Sequence, residues 1–174
     1  MEEAKQQNKI ETPEAKSPEN DDLVGIKGWL ILVAIGVVLS PFRVFIESVN
    51  TFKPIFTTEM WQRLTSQFGD MYHPLWEPLL IIEMVFNAAL FLASLYLIVL
   101  FFKHKKAFVS WYLAILFGGL AFIALDAYAV SLIVPDVDVF DDEMKTMIFR
   151  GLIQAVIWGP YMLLSKRVKA TFVK

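Results

Sequence analysis

PLLIIEMVFNAALFLASLYLIVLFF, Pro78 to Phe102, contains a single charged side chain, Glu83. It is longer than the roughly 20 apolar residues that carry a helix across a bilayer. Working outward, Trp29–Val49, Ser110–Val134 and Met147–Leu164 have the same character. Four such stretches predict an all-α, polytopic membrane protein built as a four-helix transmembrane bundle over residues 23–174. Composition agrees: of 174 residues, 56% are hydrophobic and 20% charged. Mean hydropathy is +0.52, and the charges avoid the long apolar runs.

The flanks are of different kinds. Residues 1–22 hold seven acids, Glu2, Glu3, Glu11, Glu14, Glu19, Asp21 and Asp22, with three lysines and two prolines. Such a segment buries too little apolar surface to fold alone and reads as a disordered acidic cytoplasmic tail. It lacks the basic start of a signal peptide, and the first apolar run is too long for one, so that run is expected to remain as a span.

Basic residues set the expected orientation. Lys27, the turn Lys103, Lys105 and Lys106, and the tail Lys166, Arg167, Lys169 and Lys174 fall on one side. The other side has Lys53, Arg63 and Lys145 among Glu59, Asp70, Glu77, Asp136, Asp138, Asp141, Asp142 and Glu143. The positive-inside rule places both termini in the cytoplasm. Trp29, Trp76, Trp111 and Tyr112 sit at span ends, where amphipathic rings prefer the headgroup level.

In the long outer loop, Met60, Trp61, Leu64 and Phe68 recur at helical spacing between Thr57 and Gly69. That predicts a short amphipathic helix, packed against the bundle's outer end or offered to a partner as a lid or docking surface.

The polar residues inside the spans are the candidate site. Arg43 with Glu47, Glu83 with Asn87, and Arg150 with Gln154 are i, i+4 pairs on three spans; the remaining span carries Asp126. At ~1.5 Å per residue, Arg43, Glu83, Asn87, Asp126, Arg150 and Gln154 all fall within about 7–18 Å of the outer boundary. A lone charge near the bilayer centre costs at least ~2.5–3.5 kcal/mol on insertion scales, so these side chains are expected to turn inward. Arg43 and Arg150 would each pair with Glu83, Asp126 or Glu47, with Asn87 and Gln154 completing a buried network. The network either holds the helices in register or forms an outward-facing, proton-responsive or anion-holding site; the third option is that some members face a partner subunit. If it is structural, Asp126→Asn lowers stability. Gly36, Ser40, Arg43 and Glu47 form one stripe on the first span, Pro41 marks a candidate kink, and Gly118, Gly119, Gly151 and Gly159 would permit close helix approach.

Other chemistry finds little support. With no cysteine, disulfides, thiolate metal sites and cysteine nucleophiles are ruled out. His73 and His104 lie in opposite loops and cannot jointly hold a metal or haem. The acids from Asp136 to Glu143 lack the glycine and distant glutamate of an EF-hand, and Asp141 or Asp142 reads as a helix cap. The basic tail reads as a topology anchor that also suits anionic headgroups, and no stacking platform supports nucleic-acid binding. No catalytic, cofactor-binding or metal residue is assigned.

Gly25-Ile26-Lys27-Gly28-Trp29-Leu30, followed by Gly36, Pro41 and Arg43, and the ending Pro160-Tyr161 through Ser165-Lys166-Arg167-Val168-Lys169-Ala170-Thr171-Phe172 resemble the YdgK-like bacterial inner-membrane family, domain of unknown function 2569. The resemblance covers about residues 25–173. It implies a four-helix protein of the bacterial inner membrane and supplies no site residues. The combined expectation is a non-enzymatic interaction or accessory subunit whose partners are the lipid bilayer and another membrane protein or a second copy of the chain. The alternative is a small transport or sensing protein using the polar cluster.

Overall fold

The computed structural model describes residues 24–173 and contains six helices among them: α1 Trp29–Thr57, α2 Met60–Thr65, α3 Trp76–Phe102, α4 Ala107–Ile133, α5 Asp142–Leu164 and α6 Lys166–Thr171. The acidic tail, 1–22, lies outside the described residues. Helices α1, α3, α4 and α5 are each long and apolar enough to cross a membrane, so the protein is a multi-pass helical membrane protein.

Helix ends follow local chemistry. Asp141 caps α5, its Oδ1 accepting from the Met144 N–H at 2.8 Å, and Asp142 and Glu143 sit in the first turn, where the helix dipole favours acids. Helix α3 ends in the basic turn 103–106. His104 takes a left-handed φ of 52°, while the Lys105 N–H reaches back to the Leu100 carbonyl at 3.0 Å. That six-to-one bond closes the helix as a Schellman motif, with His104 where glycine is usual.

The principal packings follow chain order: α1 on α3, α3 on α4, and α4 on α5. The main hydrophobic core lies at the end bearing the basic turn, here the basic end. It gathers Leu30, Val33 and Val37 of α1, Leu97, Leu100 and Phe101 of α3, Phe108 of α4, Met162 of α5, Val168 of α6, and Phe172. Phe172 stacks on Phe108 at 4.4 Å and tilts against Phe101 at 5.5 Å. The Gly25 N–H donates to Thr171 Oγ1 at 3.1 Å, tying the segment before α1 to α6. The carboxyl-terminal segment is therefore a packed element as well as a cluster of bases. Its helical spacing of Val168, Thr171 and Phe172, all buried, is the sequence signal for this.

Two expected boundaries move. Helix α1 continues past Val49 to Thr57, because polarity marks where a bilayer ends, whereas the helical backbone runs on through Asn50–Lys53 and past Pro54, which removes only the bond to the Asn50 carbonyl. The outer-loop helix shrinks from Thr57–Gly69 to Met60–Thr65, bracketed by Glu59 at a left-handed φ of 57° and Ser66 in extended conformation. Leu64 is buried, and Trp61 stacks on Phe56 of α1 at 5.3 Å. Phe68 falls beyond the helix and is fully exposed. After α2, Arg63 grips Asp70 through two hydrogen bonds of 2.9 and 2.6 Å. The guanidinium bonded to Asp70 holds that carboxyl below its usual range. Gly69 is required there, since a Cβ would strike the Arg63 backbone.

Candidate functional site

Among the residues singled out above, the structure brings together Glu83 and Asn87 of α3 with Asp126 of α4. It adds Ser48 of α1. The Ser48 hydroxyl lies 3.2 Å from Asn87 Oδ1 and 2.8 Å from its own-helix Val44 carbonyl, with one proton to serve either. Asn87 Nδ2 donates to the Glu83 carbonyl at 2.9 Å. The Glu83 and Asp126 carboxyls lie near enough across the α3–α4 interface for each to perturb the other. Asp126 Oδ1 is sealed from solvent and receives no hydrogen bond.

The arginines do not join them. Arg43 pairs with Glu47 on its own helix at 2.8 Å, with side-chain exposures of 66% and 58%. Arg150 and Gln154 are exposed on α5. The seven residues thus divide into an acid–amide cluster between α1, α3 and α4 and two exposed pairs on α1 and α5. The reason is rotational. Helix α1 buries Leu30, Val33, Val37 and Pro41, and Arg43 sits two residues, about 200°, from the last of them. Helix α5 buries Ala155, Gly159 and Met162, and Gln154 and Arg150 lie about 100° to one side of the row Gly151–Ala155. Equal depth does not mean a shared face. Ser48 escaped the sequence reading because a lone serine in a span looks unremarkable; its i+7 spacing from Pro41 was the available signal.

Two acids in contact inside an apolar span, with no cation beside them, repel when both are ionised. An amide at position 126 would remove the repulsion and supply an N–H donor. Asp126→Asn is therefore expected to raise the unfolding free energy in detergent by about 1 kcal/mol, opposite in sign to a charge-paired network. A lower denaturation midpoint for the variant would mean that Asp126 makes an ionic contact after all.

A second feature lies between α3 and α4. Phe86, Ala89, Ala93, Ala114, Gly118 and Gly119 help line an apolar groove of about 620 Å³. Phe86 stacked on Phe122 stands towards the acid cluster, and Tyr96 edge-on to Trp111 towards the basic end. A Cβ added to Gly118 or Gly119 would meet nothing within 4 Å. By contrast, Gly151 and Gly159 are used within the chain: a Cβ there would come to 2.8 Å from Leu120 Cδ1 and 3.3 Å from Phe117 Cζ.

Among the described residues, no three His, Cys, Asp or Glu side chains form a metal-holding group. His73 Nδ1 accepts from the Leu75 N–H at 3.3 Å, and His104 tilts over Phe172 at 6.2 Å. Both histidines sit in turns and contact their own neighbourhood.

Spanning helices, a packed basic end and an intramembrane polar cluster define the class as a small multi-pass helical membrane protein. More narrowly, the chain belongs to the family described as Protein of unknown function (DUF2569), whose model matches residues 23–173. No match was found among curated proteins or solved structures.

Proposed function

We propose that the protein is a non-enzymatic interaction or accessory subunit of a complex in the bacterial inner membrane, with both termini in the cytoplasm. One observation carries this reading: the α3–α4 groove, where a Cβ added to Gly118 or Gly119 would meet nothing within 4 Å among the described residues. In lipid, helices associate through close packing over small residues, and Ala89–Ala93 and Ala114–Gly118 each repeat at i, i+4. The groove fits an apolar transmembrane helix of another membrane protein. The distribution of bases supports the orientation. The non-enzymatic reading draws on the polar cluster, whose carboxyls, amide and hydroxyl include no histidine or lysine to activate a nucleophile.

The experiment is native mass spectrometry after gentle extraction at native expression level, comparing wild type with Gly118→Leu. The expected result is stoichiometric association with one membrane partner, lost in the variant while the monomer's melting temperature is unchanged. An association that survives Gly118→Leu would defeat the groove as the docking surface, and one made only with a second copy would redirect the reading to a homo-oligomer. A small transport or sensing protein is the second reading, favoured by the facing Glu83 and Asp126 carboxyls inside the span.

A further inference from the structure

Every acid among the described residues stands towards the far end of the bundle, away from the basic end. Glu47, the nearest along any span, is about 27 Å of helix from Trp29. The basic end carries Lys27, the lysines of the 103–106 turn and the bases of α6. Two of these, Lys106 and Lys169, border a cavity of about 330 Å³ where the start of α4, the end of α5 and the segment from α6 to Val173 meet. Neither lysine forms an ion pair among the described residues. The rest of the lining is apolar. Met162, Val168 and Phe172 are buried and make a floor continuous with the main core, while Leu163 and Val173 form an exposed rim.

Local structure fixes both lysines. Lys169 lies in the last turn of α6, a short helix that Ser165 caps by accepting from the Val168 N–H at 3.4 Å. That helix is held down by buried Val168 and Thr171 and by Phe172 stacked on Phe108. Lys106 immediately precedes α4, whose first turn is anchored by the fully buried Phe108. No side chain caps the start of α4, so the positive end of its dipole adds to the Lys106 charge. The depth suits a headgroup. Trp111 and Tyr112 follow Lys106 by about 7–9 Å along α4, at the level where amphipathic rings meet the apolar layer. Leu163 and Leu164 are exposed at the end of α5, where acyl chains cover such side chains.

We propose that this cavity binds one anionic phospholipid, its phosphate between the Lys106 and Lys169 ammoniums and the start of one acyl chain laid over Met162, Val168 and Phe172. Two ammoniums without an acid beside an apolar floor match an amphiphile with a negative head and an apolar tail. A soluble phosphate would leave the floor in water. An acidic peptide would bring backbone groups to it with nothing there to bond, and an apolar helix would leave both lysines uncompensated. Lysine holds phosphate as a point charge rather than by a planar fork, so selectivity follows the charge of the headgroup more than its shape. The cavity shares no lining residue with the α3–α4 groove and does not depend on the proposed subunit role.

The test uses the full chain in detergent and in nanodiscs of phosphatidylcholine doped with phosphatidylglycerol. Native mass spectrometry is expected to show phosphatidylglycerol retained in preference to phosphatidylcholine by about tenfold or more, from two lysines near one headgroup. Lys106→Gln and Lys169→Gln should each lose about fivefold in affinity for phosphatidylglycerol and leave phosphatidylcholine unaffected. Lys103→Gln combined with Lys166→Gln removes as much charge from the same end but none from the cavity lining, and should lose at most about twofold. Val173→Trp, at an exposed rim position, should fill the apolar part and weaken retention with both lysines intact. Calorimetry with glycerol 3-phosphate should show no binding. Equal losses from the two lysine pairs would overturn the site in favour of a diffuse basic surface, and affinity unchanged in Lys106→Gln and Lys169→Gln, or in Val173→Trp, would overturn it outright. Glycerol 3-phosphate binding as tightly as the lipid would replace the phospholipid with a soluble phosphate.

Discussion

Phe101→Ala is expected to lower the unfolding free energy by about 3–5 kcal/mol, the range for emptying a fully buried aromatic position. Phe101 is fully buried and touches Phe108 at 5.1 Å and Phe172 at 5.5 Å, so one ring joins α3, α4 and the segment after α6. Elsewhere the long helices leave most of their apolar surface outward. Few residues of α4 are buried within the protein, and Phe108 at the basic end is one of them. Loss of the Phe101 ring should therefore free the carboxyl-terminal segment first. Denaturant titration in detergent, read beside proteolysis near Lys166–Val173, measures both effects. An unchanged midpoint with a protease-resistant tail would show that the aromatic cluster does not hold this end together.

Gly159→Leu is expected to cost about 1–3 kcal/mol, because the added carbons must enter space already occupied by Phe117. A Cβ alone would sit 3.3 Å from Phe117 Cζ, and the remaining leucine atoms would force α5 away from α4. Gly118→Leu differs only in position, yet its Cβ would meet nothing within 4 Å among the described residues. Its monomer stability should match wild type. Thermal melts of the two variants in the same detergent separate them, and equal destabilisation would mean that the α3–α4 groove is filled by the chain itself. Two glycines of similar appearance in sequence thus have different roles, one closing an internal helix pair and the other leaving an outer surface smooth.

Legibility differed between elements for physical reasons. The Glu83–Asp126 contact was within reach of sequence reasoning, since both acids lie at one depth on spans joined by a tight turn. The expectation that arginines would neutralise them was not met: Arg43 found Glu47 one turn along its own helix. An i, i+4 partner is available whatever the tertiary arrangement, and this local pairing was visible in the sequence. The outer-loop helix was legible as an apolar pattern, but its length was not, because the backbone at Glu59 and Ser66 ends the helix where side-chain periodicity continues.

By itself the sequence determined the number of spans, the family and an acidic cap at Asp141 or Asp142, because these depend on residue type and on the length of each apolar run; the structure chose Asp141. The tertiary structure alone decided which faces meet: Asp126 against Glu83, Ser48 against Asn87, Phe172 under Phe101, and Arg150 left exposed on α5. Rotation of a helix about its axis is set by packing against its neighbours. In spans as uniformly apolar as α3 and α4, the sequence carries almost no amphipathic signal from which to read it.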